Sequence, residues 1–150
     1  MKIKVENLHK AYGKNKIHKG VSLEIPSGQK CVIVGGSGVG KSQLIRQIVG
    51  LVECDEGHIY LDDQEVTGLS DSKLNPIRQK IGFIFQDGGL LLSLSVGDNI
   101  TLPLKEIQKL PKNKIDEKLH EVLKMLDLEG LEKSSVSEIS GGQRKRVAIA

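Results

Sequence analysis

Only two cysteines occur in the 150 residues, Cys31 and Cys54, and their spacing suits neither a metal site nor a redox pair. Both are expected to be buried, reduced thiols of a cytosolic protein, Cys31 within an apolar run. The longest apolar stretch, "LLLSLSV", falls far short of the roughly 20 residues that span a bilayer. The N-terminus carries no apolar signal segment, so the chain is not expected to cross a membrane by itself. Excess charge is missing too. A net charge of +3 with scattered lysines argues against a nucleic-acid footprint. The lysines of the first twenty residues alternate with apolar side chains, as on the solvated face of a strand. Repeats and low-complexity tracts are absent. What is present, 38% apolar and 27% charged residues, is ordinary globular composition in a chain long enough to build a core.

Hydrophobic periodicity divides the chain into a strand-rich first part and a helix-rich remainder. "MKIKVENLHKAYG" alternates apolar and polar residues as a half-buried strand does, and "VSLEIPSGQ" repeats the pattern before a turn at Pro26-Ser27-Gly28. "KCVIV" and "KIGFIFQ" are continuous apolar runs expected to be buried strands, the second ending at Gln86. "GHIYLDDQEV" reads as a hairpin turning at Asp62-Asp63. "KSQLIRQIVGL" places Leu44, Ile45, Ile48 and Val49 on one helical face, with Gly50 marking its end. "KNKIDEKLHEVLKMLDLEG" does the same with Ile115, Leu119, Val122, Leu123 and Leu126, and is expected to close near Gly130.

Between "KCVIV" and the first helix lies "GGSGVGKS", Gly35 to Ser42, a match to G-x-x-x-x-G-K-Ser/Thr in its strand-loop-helix setting. Glycines crowd this loop because successive backbone N–H groups can curl around an anion only in conformations that side chains obstruct. Gly35, Gly36, Ser37, Gly38, Val39 and Gly40 form the cradle, and the helix that follows adds its own unpaired N–H groups. Lys41 can reach the β- and γ-phosphates as a point charge, and the Ser42 hydroxyl can ligate Mg²⁺. The ligand so described is a nucleoside triphosphate.

With two further motifs the whole chain resembles the ATPase domain of ATP-binding cassette (ABC) transporters. "ISGGQ", Ile139 to Gln143, is similar to that family's L-S-G-G-Q signature, and Gln86 stands where the family has its Q-loop glutamine. Ser140 is suited to cap the next helix, while Gly141 and Gly142 leave its N-terminus bare for an anion. The resemblance implies that Ser140, Gly141, Gly142 and Gln143 close over ATP held by a second ATPase subunit in a head-to-tail homodimer. It assigns Gln86 to Mg²⁺ or the attacking water, and Tyr12 to stacking on adenine. Catalytic roles therefore fall on Lys41, Gln86 and, acting in trans, Ser140. Arg144, Lys145 and Arg146 read as a solvated basic face. His9, His18, His58 and His120 share no catalytic spacing with a carboxylate.

The implied fold is α/β: a P-loop NTPase with an antiparallel β portion (1–30 and 56–68), a P-loop core sheet (30–50 and 80–87) and an α-helical subdomain (88–150). It departs from the family at Gln43, where a Ser or Thr usually meets the α-phosphate. The family also needs a Mg²⁺-holding Asp, a water-polarising Glu and a switch His that none of these residues matches. The chain thus reads as the first two-thirds of such a domain, truncated at the signature helix and expected to be inactive alone. The implied partner is a transmembrane permease, which would hold the protein at the cytoplasmic side of the bacterial inner membrane. "FQDGGLLLSLSVGDNITLPLKE" further resembles the loop of ATPases in mammalian-cell-entry-type phospholipid transport, with Asp87 to Leu94 suited to a membrane subunit's helix. Lipoprotein release, amino-acid import and export are the alternatives, followed by a non-transport ABC ATPase acting on ribosomes or DNA.

Overall fold

The computed structural model describes residues 1–86 and 88–150, so Asp87, the first residue of the apolar loop noted above, lies outside the described residues. The chain divides into two compact units, Met1–Gly82 and Phe83–Ala150, each with its own core. Strand alternation builds the first. β1 (Ile3–Tyr12) and β2 (Asn15–Ile25) form a hairpin, and β3 (Glu56–Leu61) with β4 (Gln64–Glu65) forms another. They join in one antiparallel sheet of order β2-β1-β3-β4, with Val5 opposite both Leu23 and Ile59. The expected turn between β3 and β4 is present, and Asp62 takes a left-handed conformation (φ 54°) there.

One sheet face buries Val5, Leu8, Ile59 and Leu61, and helix α1 (Lys41–Ile48) covers it with Leu44 and Ile48. The α1 helix stops as its glycine implies. Gly50 has φ 71°, its N–H reaches the Gln47 carbonyl at 3.0 Å, and the Leu51 N–H reaches Arg46 at 2.8 Å. That pair of bonds is a Schellman closure. A helix not expected from the sequence, α2 (Asp71–Arg78), adds Leu74 to the core. Its Arg78 donates to the carbonyls of Val49 and Gly50, so a cation covers the negative end of α1.

The two apolar runs expected as buried strands are not strands. Cys31 is exposed, Val32 and Val34 are 81% and 85% exposed, and Ile84 is 60% exposed. Only Ile33 and Ile81 turn onto the core. A strand covered on both faces needs ladder partners at its edges, and among the described residues none pairs with either run. The expectation of two buried thiols therefore holds only in part: Cys54 is half-buried, and burial pushes its thiol above the usual range.

The second unit packs α3 (Val96–Glu106), α4 (Lys112–Met125) and α5 (Gly141–Ile149) around Val96, Ile100, Leu123, Leu128, Ile139 and Val147. The α3 helix was hidden in the loop motif. Its start is nonetheless written as Ser95-x-x-Asp98, and the Ser95 hydroxyl accepts the Asp98 N–H at 3.0 Å. Helix α4 ends earlier than Gly130. Asp127 adopts φ 51°, and the Leu128 N–H bonds the Leu123 carbonyl at 2.8 Å. Asp tolerates the left-handed turn, and burial of Leu123 and Leu128, 1% and 0% exposed, drives it there. Leu123→Ala should cost about 2–5 kcal/mol in urea unfolding, whereas Met125→Ala, two residues along and 78% exposed, should change it by less than about 0.5 kcal/mol.

Candidate functional site

The segment Gly35–Gly40 is a loop leading into α1, exposed at residues 35–39 and half-buried at Gly40. Gly40 caps the helix in a left-handed conformation (φ 99°, ψ 5°), and no side chain closes that end. The first intrahelical bond is the Leu44 N–H to the Gly40 carbonyl at 2.9 Å, so the amides of Lys41, Ser42 and Gln43 precede the ladder. Glycine at position 40 is required twice over. A Cβ there would lie 2.5 Å from Ile17 Cγ2 and 2.8 Å from His18 Nε2, in a backbone conformation that other residues rarely adopt.

Positive charge sits on the same loop. Lys41 Nζ donates to the carbonyls of Gly35 and Gly36 at 2.9 and 2.6 Å, which holds the ammonium over the loop. Ser42 is exposed on the first turn. Gln43 buries its Oε1 without a partner among the described residues, leaving its Nε2 as the end of the amide able to donate. A bare helix start, left-handed glycines and a neighbouring ammonium together make a site suited to an anion.

Tyr12 ends β1 and is 48% exposed, with Lys10 Nζ 5.3 Å from its ring centroid. Lys10 is gripped by Asp55 at 2.7 Å, and the other Asp55 oxygen accepts the Ala11 N–H at 2.7 Å. The Lys10 ammonium, then the Ala11 amide, hold the Asp55 carboxyl below the usual carboxylate range, and Asp55 raises Lys10. Neither residue stood out in the sequence. Forty-five positions separate them, and only the fold brings them together.

Gln86 and the segment Ile139–Gln143 belong to the second unit, the phosphate-type loop and Tyr12 to the first. Gln86 does not end a strand; it is exposed in a turn closed by the Gly88 N–H on the Phe85 carbonyl at 3.0 Å. The Ser140 cap is present as a reciprocal box. Its hydroxyl accepts the Gln143 N–H at 3.2 Å, and Gln143 Oε1 accepts the Ser140 N–H at 2.8 Å. Gly141 and Gly142 have neither positive φ nor crowding to explain them, since an added Cβ would meet nothing closer than 3.9 Å. Glycine is a poor helix former, so the first turn of α5 combines a made cap with two positions left without side chains.

The basic triplet is not uniformly solvated. Arg144 donates to the carbonyls of Ile139 and Val136 at 2.9 and 3.4 Å, tying down the strap before the cap. His58, which shares no catalytic spacing with a carboxylate along the chain, meets Glu65 at 2.6 Å across the β3–β4 hairpin, where both side chains are exposed. Cross-strand register made the pair, and spacing along the chain did not show it.

A family model described as ABC transporter matches residues 18–150. The methionine import ATP-binding protein MetN of Clostridium tetani is 42% identical over 148 residues, covering 99% of this chain and 46% of that protein. The probable ribonucleotide transport ATP-binding protein mkl of Mycobacterium leprae is 38% identical over 148 residues, covering 99% and 43%. The chain thus spans less than half the length of these curated relatives. Among solved structures, the dimeric post-hydrolysis state of the ATP-binding cassette MJ0796 bound to ADP and Pi superposes with a TM-score of 0.85 at 35% identity, covering 98% of this chain and 67% of that one. The cbiO1 protein of Clostridium perfringens, part of the ABC transporter complex cbiONQ, gives 0.80 at 32% identity, covering 98% and 59%.

Two outcomes test the local chemistry. Ser140→Ala should lower the stability of the second unit by about 1 kcal/mol, read by urea unfolding. The depressed Asp55 stabilises the fold at pH values above its ordinary 3.8, and this is lost as pH falls through the lowered value. Asp55→Asn should therefore show a smaller loss of stability between neutral pH and pH 3 than the unsubstituted protein, read by urea midpoints at each pH.

Proposed function

The chain belongs to the ABC transporter family, and we propose that it is the nucleotide-binding part of a transporter motor, with Gly35–Ser42 holding the phosphates of ATP. One observation carries this: the uncapped start of α1, with Lys41 held over the loop that leads into it. The amides of Gly36 to Gln43 and the Lys41 ammonium would bind the triphosphate, and Tyr12 would face the base. Among the described residues no group of three or more His, Cys, Asp and Glu could hold a metal. Mg²⁺, which would neutralise the phosphates, would be held by the phosphate oxygens and the Ser42 hydroxyl, and Gln86, in the second unit, keeps its role toward Mg²⁺ or the attacking water only as the family resemblance implies it.

The two open glycines at the capped start of α5 support a second role in this reading. Ser140, Gly141, Gly142 and Gln143 would receive the γ-phosphate of ATP bound to a second subunit. The solved relative with ADP and Pi is a dimer. Among the described residues no helix is long and apolar enough to cross a membrane, and coupling to cargo would pass through a permease at the cytoplasmic face. The antiparallel portion, the phosphate-loop portion and the helical portion from residue 88 would be the three working parts of the motor. Hydrolysis by residues 1–150 is expected at background, because the family resemblance assigns none of their carboxylates to the attacking water.

For cargo, the names of the relatives favour the amino-acid import alternative, since several are methionine import proteins. Phospholipid transport rests only on the resemblance of the loop after Gln86 to that of phospholipid-transport ATPases, a loop whose Leu91 and Leu92 are exposed. Lys41→Ala should weaken MgATP binding about ten- to a hundredfold, as expected for losing a charge-assisted contact, with an unchanged urea midpoint. Calorimetric titration measures it, and equal affinity of variant and unsubstituted chain would refute the assignment.

A further inference from the structure

His18 lies on β2 directly opposite Lys10 and is 5% exposed, yet it has no role in what the family motifs assign. Its Nε2 lies 3.2 Å from the carbonyl oxygen of Gly40, the residue that opens α1. A carbonyl only accepts, so Nε2 carries a hydrogen and donates it. The Leu44 N–H reaches the same oxygen at 2.9 Å. Two donors therefore hold the two lone-pair positions of one oxygen atom.

The other ring nitrogen makes no hydrogen bond. His18 Nδ1 is buried and unpartnered among the described residues. Burying a polar atom without a partner is destabilising, and an apolar side chain of similar size would avoid that cost. Stability alone does not account for an imidazole at this place; a task for its Nε2–H does.

That task follows from the peptide bond. The Gly40 carbonyl and the Lys41 N–H belong to one rigid, planar, trans peptide and point in opposite directions. Gripping the oxygen from the His18 side therefore aims the Lys41 N–H away from His18. Gly40 has no side chain to brace it and sits at φ 99°, so beyond the Leu44 N–H the further brace on its carbonyl is the one His18 supplies from β2. We propose that His18 is a positioning residue for the bound nucleotide, orienting the Lys41 amide toward the phosphates through the Gly40–Lys41 peptide. The inference rests on the reading of Gly35–Ser42 as the phosphate site. It adds a connection from the sheet to that site, since β2 carries His18 and the opposing β1 carries Lys10, whose ammonium lies over Tyr12.

The test compares the unsubstituted chain with His18→Leu and His18→Gln, titrating each with MgATP in a calorimeter and unfolding each in urea. His18→Leu removes the donor and the unpaired Nδ1 together. It should bind MgATP about five- to tenfold more weakly, the scale of one hydrogen bond, while unfolding at the same or a higher urea concentration. His18→Gln restores an N–H donor and should bind within about twofold of the unsubstituted chain. Equal affinity of a folded His18→Leu, or a loss in His18→Gln as large as in His18→Leu, overturns the proposal. An unsubstituted chain that does not bind MgATP overturns the phosphate-site reading and the role of His18 with it. Should His18→Leu fail to fold, imidazole ¹⁵N shifts of the unsubstituted chain decide. Nε2 protonated and shifting on MgATP addition is expected, and an unprotonated Nε2 overturns the proposal.

Discussion

The first backbone N–H groups of a helix have no acceptors within it, and this protein treats that constraint differently at different helices. At α3 and α5 a serine hydroxyl accepts an amide of the first turn, from Asp98 and Gln143 respectively. At α1 no side chain does so. The residue that opens α1 is a glycine crowded by Ile17 and His18, unable to carry a capping group without displacing them. Bare amides here are thus enforced by packing as well as by loop sequence, and an anion is the partner that suits them. At α5 the arrangement is intermediate: the cap is made, yet two open glycines follow it.

The motif chemistry was readable because each motif is local. Gly35 to Ser42, the Ser140 cap, the Asp62 turn and the Gly50 helix stop are all decided within a few residues by backbone conformation and hydrogen-bond supply. Half-buried strands were equally legible, since Val5, Leu23 and Ile59 announce their shared face by alternation. Apolar runs misled. "KCVIV" and "KIGFIFQ" have the composition of buried strands, but composition does not supply ladder partners, and most of their side chains are exposed. The helix boundary at Asp127 was missed for a related reason: glycine is the usual left-handed stop, and here burial of Leu128 made an aspartate do that work.

What the sequence could not show lies in pairs far apart along it. Asp55 with Lys10, Arg78 with the Val49 and Gly50 carbonyls, and His18 with Gly40 are each assembled by the sheet and the elements packed on it. None has a motif. The last two brace the residue that opens α1 and the residues that end it, so the support of that helix is less visible in the sequence than the glycine-rich loop before it. His18 illustrates this most sharply: its spacing to any carboxylate is uninformative, and its significance comes from a carbonyl 22 positions away.

The guanidinium of Arg78 on the last carbonyls of α1 has a mechanical meaning. An eight-residue helix is too short to be stiff on its own, and its rear would ordinarily unwind when its front is pulled. Arg78 of α2 supplies donors to the carbonyls of Val49 and Gly50, immediately past that rear, and so opposes its fraying. The rear of the helix is thereby tied to a second element of the same unit and is not left as a free end.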